Sequence, residues 1–155
     1  ARYGAPTSFD QDSLVWEKNG PWLKTVVYRK APGSFAMYHG RDVLAQTIAY
    51  NVPADKVADL KKFDGLLSFD KTTGMLTSRS QSEKVNYLAL NLADEIVTGK
   101  RTPDEAKDFY RKTMKLSKAG KSSSYMSGFL FTVGGATAPA TNPNEAPSEN
   151  EETPP

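Results

Sequence analysis

The stretch SQSEKVNYLALNLADEIVTGKRTPDEAKDFYRKTMKLSKAG, residues 80–120, decides the fold class. It spells out two helices and marks their ends. Ser80 with Glu83 three residues on reads as a capping box, in which hydroxyl and carboxylate each meet an orphan backbone N–H of the first turn. Val85, Leu88, Ala89, Leu92 and Ile96 recur at i, i+3 and i+4 spacing and so share one helix face. Gly99 follows as a stop, because a left-handed C-terminal cap favours a residue without Cβ. Thr102-Pro103-Asp104-Glu105 is a second capping box, with proline at the first helical position and acids facing the positive end of the helix dipole. Ala106, Phe109, Tyr110 and Met114 form the next apolar stripe, and Gly120 ends it. Helices over 80–98 and 103–118 are predicted, folded back on each other as an αα-hairpin because the link is so short.

Upstream, the pattern changes to strands. Leu14, Val15 and Trp16 precede Asn19-Gly20-Pro21, and WLKTVVY (residues 22–28) follows. Asn-Gly between two such runs signals a hairpin. Pro21 argues for a loop longer than two residues. Phe35, Met37 and His39 fall on one face of a third strand. Val43, Leu44, Thr47 and Ile48 return at helical spacing, and Val57, Leu60 and Phe63 form a further stripe after Pro53. Two short helices broken near Val52-Pro53 are the reading, with a strand over residues 47–52 as the alternative. Leu66, Leu67 and Phe69 and then Met75, Leu76 and Thr77 flank Asp70-Lys71-Thr72-Thr73-Gly74, a second hairpin. YMSGFLFTV, residues 125–133, is too short to span a membrane and serves as a final strand or a segment crossing the core.

The fold class is therefore α+β: a small antiparallel sheet of hairpins against a helical layer that includes the αα-hairpin. Residues 1–12 read as an irregular arm and residues 13–134 as one globular domain. Residues 135–155 read as a disordered tail, rich in Pro and Glu and too poor in apolar area to offset the entropy of ordering.

Function is far less legible. The absence of cysteine excludes disulfides, thiolate-held zinc, iron–sulfur clusters and thiol catalysis. His39 is the single histidine, and no motif supplies it with a nucleophile or an acid partner. It reads as a turn residue, and no catalytic residue, metal site or cofactor is assigned. Asp70 to Gly74 lacks the order of a phosphate loop and the spacing of a calcium loop, and has what a turn needs. Asp10, Asp12, Asp55, Asp59 and Asp64 leave a small hydrolase or saccharide-active enzyme as one alternative.

Charge is the sharpest feature. The chain holds 20 basic and 18 acidic residues, and four of the acids, Glu145, Glu149, Glu151 and Glu152, lie after residue 136. The preceding part thus carries 20 bases against 14 acids, a net +6. Lys107, Arg111, Lys115 and Lys118 are spaced by four, four and three along the last helix, on a side expected to lie opposite Phe109 and Tyr110. Lys100, Arg101, Lys112 and Lys121 add to the group. This face suits phosphate backbones, acidic polysaccharide or anionic lipid headgroups. Trp16 and Trp22 head an aromatic group in the first third of the chain, a binding platform if exposed and a core if buried. The leading reading is a non-enzymatic interaction or assembly domain with a protein partner, using the basic helix or the aromatic residues. A polyanion-binding module is the first alternative. The chain starts at Ala1, and signal-peptidase cleavage beside small residues makes a secreted or periplasmic location the expectation, with the cytoplasm as the alternative.

Overall fold

The computed structural model describes residues 3–29 and 41–133. Among these, β1 (Ser8–Phe9), β2 (Ser13–Asn19), β3 (Trp22–Tyr28), β4 (Val43–Ala49), β5 (Ser68–Asp70) and β6 (Met75–Ser80) form one sheet in the order β1-β2-β3-β4-β6-β5. Every pairing is antiparallel. The helices α1 (Val57–Phe63), α2 (Glu83–Val97) and α3 (Pro103–Lys118) form the second layer. α2 rests on β4 and β6, and α1 and α3 pack against α2 and each other. The fold is α+β.

The first hairpin is tighter than Pro21 suggested. Asn19 pairs directly with Trp22, which leaves a two-residue loop of Gly20 and Pro21. Gly20 has φ +67°, the sign required at the first central position of a type II′ turn, and the second position needs the negative φ that proline fixes. The second hairpin closes as read. Asp70 Oδ1 accepts from the Thr72 backbone N at 3.0 Å, and the Gly74 N donates to Asp70 O at 2.8 Å. Gly74 has φ +68°, the left-handed region that favours glycine, and a Cβ there would displace the Asn51 side chain, whose Oδ1 would lie 2.8 Å away.

One element differs from its reading in kind. Residues 43–49 form a strand, not a helix. β4 is central and covered on both faces: Val43 and Ala45 are buried on one side, Gln46 and Ile48 on the other. A strand buried on both faces loses the polar–apolar alternation that would identify it. Helix then begins with a single 3₁₀ turn at Ala54–Lys56 and continues into α1.

The arm is more ordered than expected from residue 3 onward. β1 pairs with β2, and Thr7 N donates to Val15 O at 2.7 Å. Tyr3 packs edge-on against Trp16, whose Nε1 donates to Gly4 O. At the other end, Ser124–Met126 is a 3₁₀ turn and the chain then crosses the core without forming a strand, burying Met126 and Val133. The third strand expected at residues 35–39, His39 itself and the tail lie outside the described residues.

The second helix of the hairpin keeps its bounds, and the first is shorter than read, Glu83–Val97 instead of 80–98. Ser82, not Ser80, caps α2, accepting from Val85 N at 3.2 Å. Ser80 closes β6 instead, with its hydroxyl turned inward. Glu83 is drawn away from a capping box to accept from Trp22 Nε1 at 2.8 Å and from the Tyr3 hydroxyl at 2.9 Å. The Thr102–Glu105 box is present in both directions. Gly99 and Gly120, with φ of +82° and +88°, make the helix stops.

Two asparagines on α2 hold the layers in register. Trp16, Thr25, Gln46 and Ser78 stand opposite one another across β2, β3, β4 and β6, and all four are buried. Asn86 comes down on this rung. Its Nδ2 donates to Gln46 Oε1 at 2.9 Å and to Leu44 O at 3.2 Å. Its Oδ1 accepts from the Ser78 and Ser80 hydroxyls at 2.8 and 2.9 Å. Asn91 faces the terminal segment, where Nδ2 donates to the carbonyls of Tyr125 and Gly128 and Oδ1 accepts from Leu130 N. Two residues further along β4 from the Gln46 rung, on the same face, Ile48 pairs with Leu76 in a wholly apolar core with Leu88, Leu92 and Ile96.

Candidate functional site

α3 is the least buried of the long elements. Only Ala106 and Thr113 are buried, and Leu116 is 54% exposed. Its N-terminal turn is fixed, since the capping box holds Thr102 to Glu105 and the preceding Arg101 is clamped. Arg101 pairs with Glu95 and lies 4.1 Å above the Phe109 ring, a cation–π contact. The Tyr125 hydroxyl donates to Glu95 Oε2 and accepts from Arg101. Burial, and then this bond to Glu95, push the Tyr125 hydroxyl above its ordinary range, which keeps it a donor. Arg101 is therefore consumed in positioning α3.

Beyond this anchor α3 stands away from the sheet, and a groove of about 640 Å³ opens between α3 and β6. Small side chains leave the space. Ser78 and Ser80 of β6 and Ala89 of α2 form the floor, and Phe63, Leu66, Val85, Tyr110 and Met114 supply apolar walls. Asp64 and Arg79 stand at the α1 side. Burial raises the Asp64 carboxyl above its usual range, although Leu66 N donates to its Oδ1 at 2.8 Å. Arg79 Nη1 donates to Leu66 O and Ser68 Oγ, which fixes the loop after α1.

The four cations singled out from sequence all line this groove: Lys107, Arg111, Lys115 and Lys118. Arg111 is engaged with Asp108 at 2.8 Å, and Lys112 shares that carboxylate from outside the groove. Among the described residues no carboxylate lies within ion-pair distance of Lys107, Lys115 or Lys118. One expectation about this face is corrected. Tyr110 shares the groove with the cations instead of lying opposite them, because it sits three residues from Lys107 and one turn before Met114. Phe109 alone points away, toward Tyr125.

The two tryptophans do not join this site. Trp22 is 1% exposed and packs on Tyr87 and Phe129, with ring centroids 5.1 and 5.0 Å away. Trp16 is 9% exposed under Tyr3. Both rings are core, and each indole N–H already has its acceptor. Sequence alone could not place them, because a half-buried strand and an exposed platform are written with the same aromatic residues.

The acids are dispersed. Asp10 accepts from the backbone N of Asp12 and of Ser13, both at 2.8 Å, and these bonds hold its carboxyl below the usual range. It organises the turn between β1 and β2. Asp94 accepts from the Tyr50 hydroxyl at 2.6 Å, and burial raises both groups. Among the described residues no three His, Asp or Glu side chains converge as a metal site would require. No helix among them is long and apolar enough to cross a membrane. No family model, curated protein or solved structure matches this chain.

Proposed function

We propose that this chain is a non-enzymatic binding domain that takes an anionic partner along the α3 side of the groove. One observation carries this reading: four cations from a single helix face line one hollow, and three of them have no ion-pair partner among the described residues. A merely solvated basic face needs no concavity behind it. A ligand site is typically a concave, largely apolar hollow with a few placed polar groups, and this groove has that composition. The enzymatic alternative draws no support from it. Among the described residues Asp64 is the single carboxylate in the groove, and no nucleophile–base pair accompanies it there.

Charge reversal with salt titration tests the reading. The Lys107→Glu, Lys115→Glu, Lys118→Glu variant is compared with the parent chain for binding to heparin oligosaccharide. The parent chain should bind, with affinity falling as salt rises, and the variant should lose at least tenfold. Equal affinity in the two proteins, or binding indifferent to salt, would overturn the proposal.

A further inference from the structure

We infer that the natural occupant of the groove is a single-chain anionic amphiphile, bound as a monomer. Its hydrocarbon chain lies between α3 and β6, and its carboxylate or phosphate head sits among Lys107, Lys115 and Lys118. The inference rests on the proposed anionic partner and adds the apolar half of the ligand.

A polyanion satisfies lysines on a convex or flat surface, because it needs only charge along its backbone. This groove offers more than charge. Phe63, Leu66, Val85, Tyr110 and Met114 give it apolar walls, and its volume of about 640 Å³ falls within the size range of small-molecule sites. An exposed apolar hollow left to water is unfavourable, and an apolar occupant relieves it. The cations are placed to match. Lys107, Lys115 and Lys118 are exposed yet line the hollow, so their methylene stems extend the apolar wall while their ammonium groups stay in water. That arrangement puts positive charge at the mouth and hydrocarbon behind it, the complement of a ligand with one anionic end and one aliphatic end.

The floor agrees with an extended chain more than with a bulky ring system. Ser78 and Ser80 already spend their hydroxyls on Asn86, so they present no free donor that would orient a polar ligand body. Specificity then lies in the head group and in chain length.

Calorimetric titration of the whole chain with octanoate, decanoate and laurate, each below its micellar concentration, tests this. Dodecyl phosphate, dodecanol, heparin oligosaccharide and phosphatidylglycerol vesicles form the comparison arms. One laurate should bind per chain, and affinity should rise roughly tenfold for each two methylenes added. Lys107→Glu with Lys115→Glu should weaken laurate at least tenfold and leave dodecanol within twofold. Met114→Gln, placed in the wall, should flatten the chain-length series while heparin binding is kept. Whichever of laurate and dodecyl phosphate binds tighter identifies the head group, and either order supports the inference. Heparin binding that depends on the lysines, together with affinities that do not change with chain length, would overturn the amphiphile and leave the anionic partner standing. Binding to vesicles but to no monomer would overturn it in favour of a membrane surface. Failure of both heparin and every amphiphile would overturn both readings. Many laurates per chain without saturation would also overturn it.

Discussion

α2 has two working sides, and they are built on opposite principles. Toward the sheet and the terminal segment, its polar groups are buried and matched one for one. Asn86 is fully buried and meets Gln46, Leu44, Ser78 and Ser80, while Asn91 meets Tyr125, Gly128 and Leu130. Toward α3, the helix presents Val85 and Ala89 to an open groove. Buried polar networks penalise every slipped arrangement, because a one-residue shift leaves several groups without partners. The groove side carries no such penalty. Specification of the fold is concentrated on one side of a single helix, and the other side faces an open groove.

If that division is real, substitutions should sort by side. The largest loss of stability is expected for Asn86→Leu, a change that keeps the branched shape and leaves Gln46 Oε1 and the Ser78 hydroxyl without their partner in the core. It should cost about 3–4 kcal/mol, measured by denaturant unfolding. Asn91→Leu should follow at about 2–3 kcal/mol. Its signature should also be local, with residues 124–133 becoming open to limited proteolysis before the sheet does. A loss confined to global unfolding would break the assignment of Asn91 to that segment.

Thr102→Ala removes one member of the α3 capping box and should cost about 1 kcal/mol. Smaller still is the tilt that Asp64 gives to the pH dependence. Burial raises its folded carboxyl above the unfolded value, so the folded chain holds an extra proton across the interval between the two. Its contribution to stability therefore falls as pH rises through that interval, and is constant above it. Asp64→Asn keeps an acceptor for Leu66 N and should gain on the parent chain as pH rises, with the difference levelling off once Asp64 is ionised. Paired urea melts across pH 3–8 would show it, and a difference independent of pH would refute it. Last, Lys107→Glu with Lys115→Glu should leave stability within about 0.5 kcal/mol. A large loss there would mean that the groove side also carries the fold.

Most of the fold was legible wherever local chemistry has only one solution. Thr102, Glu105, Gly99 and Gly120 marked helix ends that the structure keeps, and Gly74 marked a turn. The misreadings share a cause, which is tertiary context. β4 looked helical because burial on both faces erased its alternation. Ser80 fitted a capping box by spacing, but it ends β6 two residues before the cap, and its hydroxyl is turned into the core toward Asn86. Of the site, only the cationic half was readable, because it lies on one helix at one period. The apolar half comes from Phe63, Leu66, Val85, Ala89, Tyr110 and Met114, and no sequence window holds them together. The asparagines did leave a trace. Asn91 sits between Leu90 and Leu92, both buried, in a helix apolar nearly all round, and such a polar residue must find partners inside.

The tie between Asn91 and the end of the domain also sets a clock on biosynthesis. Its three partners lie 34, 37 and 39 residues further along the chain. At roughly 5–20 residues per second, a ribosome needs about 2–8 s to supply them once Asn91 has been made. Throughout that interval the Trp22 and Tyr87 rings lack the cover of Phe129, and a buried amide has nothing to bond. The last ten described residues act as the closing seam of the domain, and until they emerge those rings and that amide stay uncovered.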